Sequence, residues 1–267
     1  MKLFARTAWV VAILVLGLGT SSALAQDAVA TVTVIHAVPA EDGFPADVYL
    51  NGDLIIDGFL FETASELFTV PAGTALQLEV FPEGSDPDAD EPAVASEVTF
   101  EAGVDYSIVA QVVGEAPVLT VFVNDTSAVP AGQTRLTVRQ TSLVTDLDVV
   151  LDGADLFGGL AQATDATADV SAGSHDLAFL SLGETLDERA LDLEEGGLVV
   201  LYVVGSPDDD SFSLLVQRII AQQTSPSGVP SGTGGLKAQS NWMPYMAGAA
   251  VLGLLALVLV RRGAEER

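Results

Sequence analysis

Polar and apolar residues alternate along Thr31-Val-Thr-Val-Ile35, Ala75-Leu-Gln-Leu-Glu-Val-Phe81 and Arg135-Leu-Thr-Val-Arg139. A period of two predicts strands with one buried face, because successive side chains leave a strand on opposite sides. Asn51-Gly52 and Asp152-Gly153 follow such runs. These dipeptides favour the type I′ hairpin turn, whose two central residues both take positive φ. Pro71-Ala-Gly73 and Ala172-Gly173 mark further turns. No long segment between the two ends of the chain carries helical periodicity. Short strands with turns about every 8–12 residues predict an all-β chain of antiparallel β-sandwiches.

The same order of signals occurs twice. Asp47-Val-Tyr-Leu-Asn-Gly52 matches Asp148-Val-Val-Leu-Asp-Gly153, and Val70-Pro-Ala-Gly73 matches Val170-Ser-Ala-Gly173. Further on, Val112-Val-Gly114 matches Val203-Val-Gly205. Two tandem sandwiches are therefore expected, at residues 30–126 and 132–222. Pro130 and Gly132 lie in the linker between them, which predicts hinge freedom.

Both ends are apolar, in different ways. Lys2 and Arg6 precede a short apolar run and the small-x-small site Ala23-Leu24-Ala25, so residues 1–25 read as a signal peptide. Residues 242–260 are uncharged and stop at Arg261-Arg262, with Trp242 and Tyr245 at the other end. A spanning helix needs roughly 20 such residues, aromatic anchors and a basic cytoplasmic flank. The expectation is a single-pass protein with its ectodomain outside and residues 261–267 in the cytoplasm. Residues 223–241, rich in Gly, Ser and Pro, read as a stalk, without a Leu-Pro-x-Thr-Gly sortase motif. Ala249 and Gly253 form a small-xxx-small pair that points to self-association of the membrane helix as a homo-oligomer.

Charge narrows the partners. The formal net charge is −27, and no basic residue lies between Gln26 and Arg135. Binding of nucleic acid or anionic lipid through a basic patch is excluded by sign, while cations and basic partners are permitted. Cysteine is absent, so neither a disulfide framework nor a lipidated N-terminal cysteine is available.

Thr31-Val-Thr-Val-Ile-His-Ala-Val-Pro39, Ala46-Asp-Val-Tyr-Leu-Asn-Gly52, Pro71-Ala-Gly-Thr74 and Gly103-Val-Asp-Tyr-Ser-Ile-Val-Ala110 appear in that order. In this the chain resembles the bacterial domain of unknown function 4397 (DUF4397). The resemblance implies secreted Ig-like β-sandwich modules, often in tandem, without an assigned activity. The second repeat departs from it. Val138-Arg-Gln-Thr-Ser142 lacks the His-Ala pair, and the tyrosine of the late strand is missing.

Candidate chemistry is sparse. There is no thiol, and the sequence has neither a Gly-x-Ser-x-Gly nor a His-Glu-x-x-His pattern. His36 reads as a structural residue at the end of the first strand, and His175 as an exposed turn residue. Asp86, Asp88, Asp90 and Glu97 fall at positions 1, 3, 5 and 12 of a calcium-type loop. Glu91 stands where that loop needs glycine, and the flanks are strands rather than helices. Asp208-Asp-Asp210 lacks ligand spacing. Asp57-Gly-Phe-Leu-Phe61 is either an apolar surface patch or, preferably, packing between sheets. The resulting expectation is a non-enzymatic surface protein without a cofactor. It would present two sandwiches to an extracellular protein or envelope partner, with a calcium-dependent adhesion module as the alternative and a hydrolase as a distant third.

Overall fold

The two Asx-Gly dipeptides turn the chain as their chemistry requires. Asn51 and Gly52 take φ 52° and 83°, and Asp152 and Gly153 take 51° and 76°, all in the left-handed region. The computed structural model describes residues 28–39 and 45–219, and the segments expected to be a signal peptide, a stalk and a membrane helix lie outside them. Among the described residues no helix is long and apolar enough to cross a membrane.

Nine strands make the first sandwich: β1 (Val29–His36), β2 (Ala46–Leu50), β3 (Asp53–Phe59), β4 (Thr63–Ala64), β5 (Phe68–Pro71), β6 (Ala75–Pro82), β7 (Val94–Thr99), β8 (Asp105–Val113) and β9 (Ala116–Asn124). One sheet runs β4/β5–β1–β8–β9 and the other β3–β2–β6–β7. Eight strands make the second: β10 (Gln133–Gln140), β11 (Asp146–Leu151), β12 (Ala154–Ala161), β13 (Thr164–Ser171), β14 (Gly173–Ser181), β15 (Glu184–Leu193), β16 (Leu198–Val204) and β17 (Ser213–Ile219). Their sheets run β13–β10–β16–β17 and β12–β11–β14–β15, the same order again.

In each sandwich one pair is parallel, β1 with β8 and β10 with β16. The antibody constant-type order sets the first strand beside the second. Here the first strand crosses into the sheet of the last two, which closes each sandwich with its earliest and latest strands. Repeat equivalences are fixed by backbone bonds. Glu62 N donates to His36 O and Ala163 N to Gln140 O, so Gln140 occupies the place of His36.

Every second residue of the inward strands enters a core. Val32, Val34, Val48, Leu78, Phe100 and Ile108 fill the first, and Leu136, Val138, Leu147, Leu177, Phe179 and Leu201 fill the second. A fully buried Val, Leu or Phe contributes about 1.5–3 kcal/mol relative to exposure. Without disulfides, these layers hold each sandwich.

Asp47 and Asp148 have matching tasks in the repeats. Their Oδ1 atoms accept from Gly58 N and Gly159 N at 2.9 and 2.8 Å. Both glycines have positive φ, at the irregularities of the β2–β3 and β11–β12 ladders. The repeated Asp-Val is thus the device that ties down an edge strand.

Candidate functional site

The outward faces of β1, β8 and β9 do not meet solvent. Ile35, Ala37, Val109 and Phe122 pack against Val200, Tyr202 and Val204 of the second sandwich in a third buried cluster. The sandwiches therefore join face to face, and the hinge freedom expected of the linker gives way to a packed joint. Relative motion is the default between domains unless their contact is well packed and apolar. Here it is both.

Polar groups in the joint are tied into a network around Arg139, whose side chain is 1% exposed. Its Nη1 donates to the Tyr202 hydroxyl at 2.8 Å and its Nη2 to Asn124 Oδ1 at 2.7 Å. The guanidinium also lies 4.5 Å from the centre of the Phe122 ring and 5.3 Å from that of Tyr202. Nε has no hydrogen bond but stands 3.7 Å from Asp165 Oδ2, a counter-charge at the edge. Tyr202 passes the chain on to Ser107 and to Gln217 Oε1 at 2.7 and 2.6 Å, and Gln217 Nε2 donates to Thr33 Oγ1. Asn124 Nδ2 donates to Asp105. Burial pushes the Tyr202 phenol up from its ordinary value, with the Arg139 charge pulling the other way, so the hydroxyl stays protonated.

A second feature lies at the free edges of the first sandwich. Between β3 and β4–β5 opens a groove of about 700 Å³, lined by Ile55, Ile56, Phe59, Leu60, Leu67 and Phe68 among others. Asp57-Gly-Phe-Leu-Phe61 divides here instead of packing as a block. Phe59 is buried in the core, Phe61 packs on the joint, and Leu60 is 56% exposed.

The histidines are both buried. His36 faces the core side of β1, edge-on to Phe59 at 5.8 Å, beside a small cavity of about 150 Å³. His175, expected in an exposed turn, is 8% exposed because it takes the inward register position that Leu76 holds in the first repeat. Its Nδ1 lies 2.7 Å from Asp152 Oδ2 and its Nε2 2.8 Å from the Ser171 carbonyl. Both acceptors require a ring N–H, so the geometry favours the imidazolium. The Asp152 bond raises the His175 pKa against the opposing effect of burial, and lowers that of Asp152. Ser171 Oγ is also near Nε2, at 3.4 Å, but that nitrogen's proton points to the carbonyl. A charged imidazole held this way is a staple; a serine hydrolase needs a neutral base at that atom.

The acidic loop is tied to its own backbone. Asp86 Oδ1 accepts from Asp88 N at 3.1 Å, and Asp90 Oδ2 from Asp86 N at 2.9 Å. Glu97 sits on β7 opposite Gln77, exposed on the outer sheet face. Among the described residues no group of three or more acids or histidines is set to hold a metal ion. In the second acidic run, Pro207–Asp209 forms a 3-10 turn capped by Ser206, and bonds from Ser211 lower the Asp209 pKa.

Arg139 and its partners were not singled out by sequence reasoning. The available signal was Leu198-Val-Val-Leu-Tyr-Val-Val204, a strand buried at every position. Such a run means burial on both faces.

No curated protein matches this chain. Residues 30–149 match the model of the family described as Domain of unknown function (DUF4397), a stretch that takes in the first sandwich and runs on through β10 into β11.

Proposed function

We propose that the chain is a non-enzymatic surface protein, held in the membrane by residues 242–260, whose two Ig-like sandwiches act as one presenting head. The second sandwich is a divergent copy of the first, a reading supported by its identical strand order. The observation that carries the proposal is the buried joint around Arg139 and Tyr202. A joint of this kind fixes the relative placement of two surfaces. The staple at His175 supports the same reading, since it commits both ring nitrogens to a structural task.

The test is on intact cells expressing the chain with a C-terminal tag. Protease added outside should remove the head and leave a short tagged fragment with the membranes. Full protection of the chain from external protease, or its release into the medium without cleavage, overturns the proposal.

A further inference from the structure

We propose that the groove at the edge of the first sandwich takes a short extended segment of a partner protein, apolar at alternate positions and flanked by Lys or Arg. This rests on reading the chain as a presenting head and names the chemistry of what that head meets.

The two repeats act as each other's control. In the first, Ile35 pairs with Ala64 and Val32 with Phe68, so three steps along β1 face four along β4–β5. In the second, Arg139 pairs with Asp165 and Leu136 with Ala168, three steps against three. The first repeat therefore carries one extra residue, a bulge at Ser65 to Leu67. Ser65 fixes it, its N donating to Val34 O at 2.8 Å and its Oγ accepting from Val34 N at 2.9 Å. Bulges re-aim side chains and end ladder pairing. Here the result is Leu67 turned to solvent, 60% exposed, across from Leu60.

Composition changes in the same place. Leu60 follows the pair Ala46–Phe59, where the second repeat has Ala161 after Leu147–Leu160. The fold thus tolerates a small residue at this position, yet the first repeat exposes leucine there. Exposed apolar side chains gathered in a groove mark an interaction site more strongly than single ones do.

Size and charge choose the occupant. About 700 Å³ lies within the range of roughly 300–1,000 Å³ typical of binding sites. β3 is a free sheet edge, and an unpaired edge is the usual seat of an extended peptide. Asp57 and Glu66 line the groove, Glu62 adjoins Thr63 in its lining, and all three are exposed. No basic residue lies between residues 26 and 135 to offset them. A second copy of this chain, with formal charge −27, is repelled from such a rim. A basic, partly apolar segment is attracted.

The experiment uses the full-length chain in phosphatidylcholine nanodiscs, because detergent tails would fill the groove. Fluorescein-labelled peptides Lys-Leu-Thr-Val-Lys, Glu-Leu-Thr-Val-Glu and Lys-Ser-Thr-Ser-Lys are titrated and followed by anisotropy, against empty nanodiscs. Saturable binding of the first, at least about tenfold weaker for the other two, is expected, since every ~1.4 kcal/mol lost is a factor of ten. The double variant Leu60→Ser, Leu67→Ser should lose the same factor with its melting temperature held, as both side chains are exposed. No saturable binding of the first peptide, equal binding of the all-polar basic one, or unchanged binding to the double variant overturns the proposal. Protease accessibility on cells is read separately, so a head that is presented but binds none of the peptides sinks the groove alone.

Discussion

Tyr202→Phe probes the joint with almost no change in volume. The hydroxyl accepts from Arg139 Nη1 at 2.8 Å and reaches Gln217 Oε1 at 2.6 Å and Ser107 Oγ at 2.7 Å. Its single proton serves one of those two acceptors. Removing it strips a partner from a buried charged donor and from one buried acceptor. Each orphaned group costs about 1–3 kcal/mol, and more when charged. Arg139 keeps its bond to Asn124 and its place over Phe122, so the expected net loss is about 2–4 kcal/mol. At roughly 2–4 °C per kcal/mol for a chain of this size, the melting temperature should fall by about 4–16 °C. Differential scanning calorimetry reads this directly, and the fall should appear in one transition common to both sandwiches. Tyr106→Phe is the matched control. Its hydroxyl accepts one bond, from Glu101 N, within the first sandwich, and its loss should cost only about 0.5–1.5 kcal/mol. A change below about 0.5 kcal/mol for Tyr202→Phe, or one no larger than the control's, would refute the reasoning.

The staple in the second sandwich makes stability depend on pH. The His175 pKa is raised from 6.5, so its contribution is complete below that value and is lost as pH rises through the higher folded value. The Asp152 pKa is lowered from 3.8, so its contribution is complete above that value and is lost as pH falls through the lower one. Thermal melts should show the pair's largest benefit between 3.8 and 6.5, and His175→Leu, the Leu76 equivalent, should flatten the alkaline side of the profile. Gly205→Ala should destabilise far more than Gly114→Ala in urea titrations. Both glycines have positive φ, costing about 1–2 kcal/mol for alanine. A Cβ on Gly205 would in addition lie 2.1 Å from Ser211 O, whereas one on Gly114 meets nothing within 4 Å. With a formal charge of −27, the chain should melt higher as salt rises from about 0.01 to 0.15 M, because the screening length falls from ~30 to ~8 Å.

Local features were legible in the sequence and long-range ones were not. Alternation placed β1, β6 and β10, and Asn51-Gly52 and Asp152-Gly153 gave the turns their conformation, because both are decided by neighbouring residues. The repeat showed that one topology would occur twice. What that topology is depends on β1 meeting β8, about 75 residues on, and no local pattern encodes such a pairing. Arg139 lies near the end of a strand that alternates polar and apolar residues, so it reads as a solvated side chain until the face beyond it is known. The unbroken apolar run of β16 carried that information. The turn at Gly173 makes His175 read as exposed, while its burial follows from its register with Leu177 and Phe179. The groove depends on one inserted residue, visible only when two ladders are compared step by step.

The central claim is that the two sandwiches form one head with a fixed joint. The chain has no cysteine, so Glu97→Cys and Glu188→Cys create its two spin-labelling sites, both exposed and on the outer sheets. Pulsed electron–electron resonance on the doubly labelled chain should give one narrow distance distribution. A broad or multiple distribution would show sandwiches moving about the linker, and would contradict the account.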